Sequence, residues 1–123
     1  MWIFATGGFL SLKQHEQQPD VLVVRSRVRG DLERLLPVKT VVESDDSDYR
    51  FRAYLDRDTV AGVIAGHVAA IDYEHGFKDR TLDRRRLPYL YSVWEIMATM
   101  QDDLLYQPHG TPWRLERVPI NRG

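Results

Sequence analysis

The sequence predicts an α+β domain: an antiparallel sheet of about four strands with helices on one face. Three observations carry this reading. β-Branched or alternating apolar runs occupy residues 21–27 and 49–55, apolar residues recur at helical spacing after Asp58 and after Pro88, and glycine, proline or acidic clusters separate these stretches. The resulting order is β-β-α-β-β-α-α, which favours helices packed on one side of hairpin-connected strands. A ferredoxin-like sandwich is the neighbouring topology, and its order fits only if residues 2–4 count as a separate strand.

Residues 2–4 and 9–13 read as strand, interrupted at Gly7-Gly8 by a bulge, bend or turn. The polar stretch 15–20 is a loop, and residues 21–27 then form the clearest strand, paired with the preceding one as a hairpin. After Ser26, the apolar spacing of Val28, Leu32, Leu35 and Leu36 predicts a short helix, which Pro37 stops. Residues 38–43 read as strand and 44–48 as a polar turn. Residues 49–55 alternate, with Tyr49, Phe51, Ala53 and Leu55 on a buried face and Arg50, Arg52 and Tyr54 on a wet one.

Asp58 is the expected N-cap of the next helix, whose stripe is Val60, Val63, Ile64, Val68 and Ile71. Gly66 lies inside it, which suggests close packing against the sheet. Pro88 opens the last helix, with Leu90, Val93, Trp94, Met97 and Met100 on one face. Periodicity fades from Gln101. The expected organisation is one domain over residues 1–101 and an irregular tail over 102–123, pinned by Trp113 and Leu115.

Bulk composition narrows the function classes. A chain of 123 residues with 43% hydrophobic and 28% charged residues suits a single domain with its own core. Lys plus Arg number 17 against 18 Asp plus Glu, so polyelectrolyte binding would have to come from a local patch. The absence of cysteine removes disulfides, thiol catalysis and thiolate metal sites. The first residues lack the pattern of a signal peptide, and no apolar run approaches a membrane span. The expected compartment, by elimination, is the cytoplasm.

Several segments together resemble a family of small uncharacterised proteins from bacteria and their phages. They are Met1-Trp2-Ile3-Phe4, Gly8-Phe9-Leu10-Ser11, Val24-Arg25-Ser26-Arg27 with Leu32-Glu33, Asp48-Tyr49-Arg50-Phe51-Arg52, and Phe77-Lys78. The resemblance spans about residues 1–101. It departs at Gly76, where the family more often has Asn, and in the added tail. It implies a domain boundary and no particular chemistry.

The main site candidate is the wet sheet face. Arg50, Arg52 and Tyr54 share one strand face, Arg25 and Arg27 another, and Lys13 is positioned to join them. Guanidinium groups beside an aromatic ring suit single-stranded nucleic acid. The alternative is a solvated face or a dimer surface. Residues 78–86 carry five positive charges among Asp79 and Asp83, a pattern that suits either phosphate contact or a salt-laced helix surface. Asp45, Asp46 and Asp48 lack the glycine and terminal glutamate of a calcium loop and read as a turn. His15, His67, His75 and His109 show no metal spacing, with His67 on the polar side of its helix. Gly7-Gly8 lacks the rest of a phosphate loop.

Tyr89, Tyr91, Trp94 and Trp113 form a second candidate, a partner surface. No catalytic, cofactor or metal residue is assigned. The reading that follows is a non-enzymatic protein-binding or regulatory domain, self-associating or acting on another protein. A phage-encoded modifier of a host protein is one instance of this class. A single-stranded nucleic-acid binder using Arg25, Arg27, Arg50, Arg52 and Tyr54 is the alternative. An enzyme with an unrecognised site is the third.

Overall fold

The computed structural model describes residues 1–73, 81 and 83–105. It contains a five-stranded antiparallel sheet with helices, an α+β architecture. The strands are β1 (Trp2–Ala5), β2 (Gly8–Gln14), β3 (Val21–Ser26), β4 (Val42–Glu43) and β5 (Phe51–Asp56), in the spatial order β1-β2-β3-β5-β4. The helices are α1 (Asp31–Leu35), α2 (Arg57–Ala69) and α3 (Leu87–Leu105), with a 3-10 turn at Arg84–Arg86 before α3. Among the described residues no helix is long and apolar enough to cross a membrane.

The expected first strand is two strands. Thr6 and Gly7 turn the chain, and Ala5 pairs with Gly8. This raises the strand number above the expected four and turns the first three strands into a meander. β2 pairs with β3 through Ser11–Arg25, and β3 with β5 through Arg25–Arg52. The strand expected over 38–43 shrinks to Val42–Glu43.

Alternation sorts the strands into two faces. Leu10, Leu12, Val24, Phe51 and Ala53 point to the side covered by Leu32, Leu35, Leu36 and Val60, and together they make the core. Phe9, Ser11, Arg25 and Arg52 lie on the opposite side.

Helix boundaries differ from those expected. α1 starts at Asp31, after Gly30, whose φ of +92° suits glycine. Ser26 therefore ends β3 and donates to the Val28 carbonyl instead of starting the helix. α2 is capped by Asp56, whose carboxylate accepts from Thr59 N–H at 3.2 Å, and Asp58 lies in its first turn. Gly66 does not mark close packing, because a Cβ there meets no described atom within 4 Å. The chain divides into two compact units, Met1–Leu87 and Pro88 onward. In the second, α3 continues through Leu105, so 102–105 are helical where an irregular tail was expected.

Candidate functional site

The outer sheet face carries one row across all five strands. The registers place Trp2, Ser11, Arg25, Arg52 and Val42 side by side. Arg25 and Arg52 are directly opposed, an unfavourable like-charge pair unless each finds other partners. Arg25 donates from Nη2 to Ser11 Oγ at 2.7 Å and lies 4.4 Å from the Tyr49 ring centre. Arg27 lies 4.3 Å from the same ring and donates to the Asp48 carbonyl at 2.8 Å. Arg52 donates to Ser47 Oγ at 2.7 Å and sits 3.7 Å from the Asp48 carboxylate. The Nε atoms of Arg25 and Arg52 are buried without a hydrogen-bond partner among the described residues.

Three of the five expected residues thus converge. Arg25 and Arg27 meet on Tyr49, and Arg52 stands beside Arg25. Arg50 precedes β5 and pairs with Asp45 at 3.1 Å, so one acid of the acidic turn is engaged with a guanidinium. Tyr54 sits one row away, opposite Val23, and its ring meets His15 edge-on at 5.6 Å. His15 Nδ1 accepts from the Gln17 and Gln18 amides, which organises the β2–β3 loop. Tyr49 is buried, as alternation predicts, but on the opposite side from Phe51. It precedes β5, so strand parity does not govern it, and its ring packs toward Phe9, Arg25 and Arg27.

A second feature lies on the β1 flank. Phe4 stacks on Phe9 at 4.5 Å, and Trp2 meets Phe9 edge-on at 6.0 Å. Trp2 and Phe4 remain 66% and 39% exposed, and they flank an edge strand. Around β1 from the core side runs a largely apolar cleft of about 350 Å³, lined among others by Ile3, Ala5, Leu35, Ile64, Val68 and Ile71. The α2 stripe expected to be core splits here. Val60 is buried, whereas Val68 and Ile71 are 61% and 76% exposed at the cleft. His67 is exposed, as expected, and its Nε2 lies 3.3 Å from the Leu35 carbonyl.

A third cluster was not legible in the sequence. Asp31, fully buried, accepts from the Phe9 amide at 3.0 Å, from Arg34 at 3.3 Å and from both terminal nitrogens of Arg86, one at 2.8 Å. Gly8 lies directly beneath it, since a Cβ there would stand 2.6 Å from the carboxyl carbon. Arg34 also donates to the Gly7 carbonyl, so the first hairpin turn is clasped by α1. Gly7-Gly8 therefore seats a carboxylate of the chain itself. The guanidinium of Arg86 is held further toward its charged form by the hydrogen bond to Asp31. Arg86 thus leaves the solvated surface expected for the basic segment. Arg85 stays there, exposed, and its side-chain hydrogen bond to Asp83, reinforced by its backbone N–H, lowers that carboxyl to about 2.

The bidentate Arg86 pair, the amide and Arg34 satisfy Asp31, so the cluster anchors structure. Among the described residues no three His, Asp or Glu side chains come together as metal ligands. On α3, Tyr89, Tyr91 and Trp94 are exposed. Tyr91 and Trp94, three residues apart, share one face of the helix, whereas Tyr89 lies on another. Trp113, Phe77, Lys78, Asp79, His75 and His109 lie outside the described residues. No protein-family model, no curated protein and no solved structure matches this chain.

Proposed function

We propose that the chain is a non-enzymatic binding domain that acts through protein contact, with the β1 flank as its contact surface. One observation carries the reading. Phe4, Val68 and Ile71 line one cleft and expose large apolar side chains, and Trp2 is exposed beside Phe4 on the same edge strand. Contiguous exposed apolar surface of this kind is typical of interaction sites, and aromatic residues dominate their energetics. The test is affinity capture and mass in solution for the wild type and for Val68→Asp with Ile71→Asp. Both positions are exposed, so the fold is expected to survive. The wild type should self-associate or retain a specific protein, and the double variant should lose it. A strictly monomeric wild type that retains nothing removes the reading.

A second reading, binding of single-stranded nucleic acid on the outer face, is favoured by one feature. Arg25 has no carboxylate partner among the described residues, and it stands beside Arg52 with Tyr54 exposed one row away. It predicts salt-sensitive binding to an unstructured oligonucleotide that weakens in Arg50→Ala with Arg52→Ala. Binding absent at low salt, or indifferent to these substitutions, excludes it.

A further inference from the structure

The hydrogen-bond phase of β1 is set at its start. Met1 N donates to the Leu12 carbonyl and Leu12 N to the Met1 carbonyl, so these two residues form a hydrogen-bonded pair. In an antiparallel ladder such pairs alternate with pairs whose N–H and C=O groups point away from each other. Given the register, Ile3–Leu10 and Ala5–Gly8 are bonded pairs, whereas Trp2–Ser11 and Phe4–Phe9 are not. The main-chain groups of Trp2 and Phe4 therefore point outward from the sheet edge. Among the described residues no hydrogen bond reaches them.

Edges of this kind are usually blunted by charge, proline, a bulge or shortness. β1 carries no charged side chain, proline or bulge over its four residues, Trp-Ile-Phe-Ala. The opposite edge, β4, is only two residues long, ends at Glu43 and is followed by Asp45 and Asp46.

We infer that β1 pairs with β1 of a second copy of this chain, antiparallel about a two-fold axis at Ile3. The inference rests on the contact reading above and names its partner. Self-complementarity selects a second copy. A two-fold at Ile3 places Trp2 opposite Phe4 of the other copy, so the two outward-facing residues exchange both main-chain hydrogen bonds. It also pairs aromatic with aromatic on the outer face, which stabilises cross-strand neighbours. On the core side, Ile3 meets Ile3 at the mouth of the cleft, joining the apolar surfaces that continue to Val68 and Ile71. No charged side chain stands on β1 to oppose the approach. Among the described residues the sheet has two edges, β1 and the two-residue β4. Because each copy spends β1 and β4 is blunted, association closes at the dimer and does not propagate.

The experiment is sedimentation velocity from low micromolar to submillimolar concentration, on the wild type, Phe4→Pro and Ile3→Lys. Proline at position 4 removes the outward N–H without removing a β1–β2 bond. One lost bond per copy corresponds to dimerisation weakened by roughly 30-fold. Ile3→Lys sets two like charges face to face at the axis and should leave a monomer. Amide exchange on the wild type needs no variant. Protection of Trp2 and Phe4 should rise with concentration while that of Ile3 stays constant.

A wild type monomeric throughout overturns the inference, as does dimerisation unchanged in both variants. Trp2 and Phe4 amides fully protected in the dilute monomer also overturn it, because the chain then covers its own edge. A monomer that still retains a specific protein through Val68 and Ile71 overturns self-pairing alone and leaves the binding-domain reading standing.

Discussion

Arginine does different work at two places in this molecule. At the Asp31 cluster, Arg34 and Arg86 meet a carboxylate with no exposure, and every partner is a charged group or a backbone donor. At the Tyr49 cluster, Arg25 and Arg27 lie against an aromatic ring, and the partners of Arg25 are a hydroxyl and that ring. A buried carboxylate cannot remain without its cations, so the first cluster holds chain segments together. A ring attracts a guanidinium without neutralising it, so the second leaves positive charge on an outer face. The difference lies in charge balance: the first arrangement is saturated, and the second leaves the Arg25 guanidinium without a carboxylate among the described residues.

The comparison breaks most sharply at Asp31. Asp31→Ala leaves both terminal nitrogens of Arg86 without their bidentate partner and the Phe9 amide without its acceptor, and should cost about 3–5 kcal/mol in chemical denaturation. A loss below 1 kcal/mol on the same assay would show that the cluster is not an anchor. Gly8→Ala pushes a methyl into the same carboxylate and should cost about 1–3 kcal/mol. That cost should shrink in an Asp31→Ala background, and an additive double-mutant cycle would separate the two residues.

On the outer face, Tyr49→Leu keeps an apolar body and removes both cation–π contacts, for an expected loss of about 1–2 kcal/mol. The readout that sharpens the comparison is Arg25→Lys in the same unfolding assay. It should be tolerated poorly, because a lysine cannot both stack flat on the ring and reach Ser11. The smallest effect concerns Asp83. Its carboxyl is depressed from 3.8 to about 2 by Arg85, so the associated stabilisation is fully present above the ordinary value and is lost as pH falls through about 2. A carbon-13 titration of the Asp83 carboxyl should show that midpoint, and Arg85→Ala should return it toward 3.8.

The same contrast explains what was readable beforehand. The Arg85–Asp83 contact spans two residues, inside the segment read as salt-laced but not at the helical i,i+4 spacing that reading used. The Asp31–Arg86 pair spans 55 residues, and no local pattern links them. Alternation alone puts Arg25 and Arg52 on strand faces, yet only the β3–β5 register sets them opposite each other. Tyr49 was expected beside Phe51, and a bend before β5 sends it to the other face. Val68 and Ile71 continue the apolar stripe of α2, so spacing predicts burial. Their exposure depends on what the sheet leaves uncovered there.

The sequence alone determined the α+β class, the strands over residues 21–27 and 49–55, and on the latter the separation of Phe51 and Ala53 from Arg52 and Tyr54. Those properties follow from local periodicity, which is written along the chain. The tertiary structure decided that the Gly7 turn splits one strand into two, that β1 is an edge, and that Asp31 meets Arg86. It also decided which main-chain groups of β1 point outward. These depend on hydrogen-bond phase and on contacts between distant segments, and neither has a local signature in residue type.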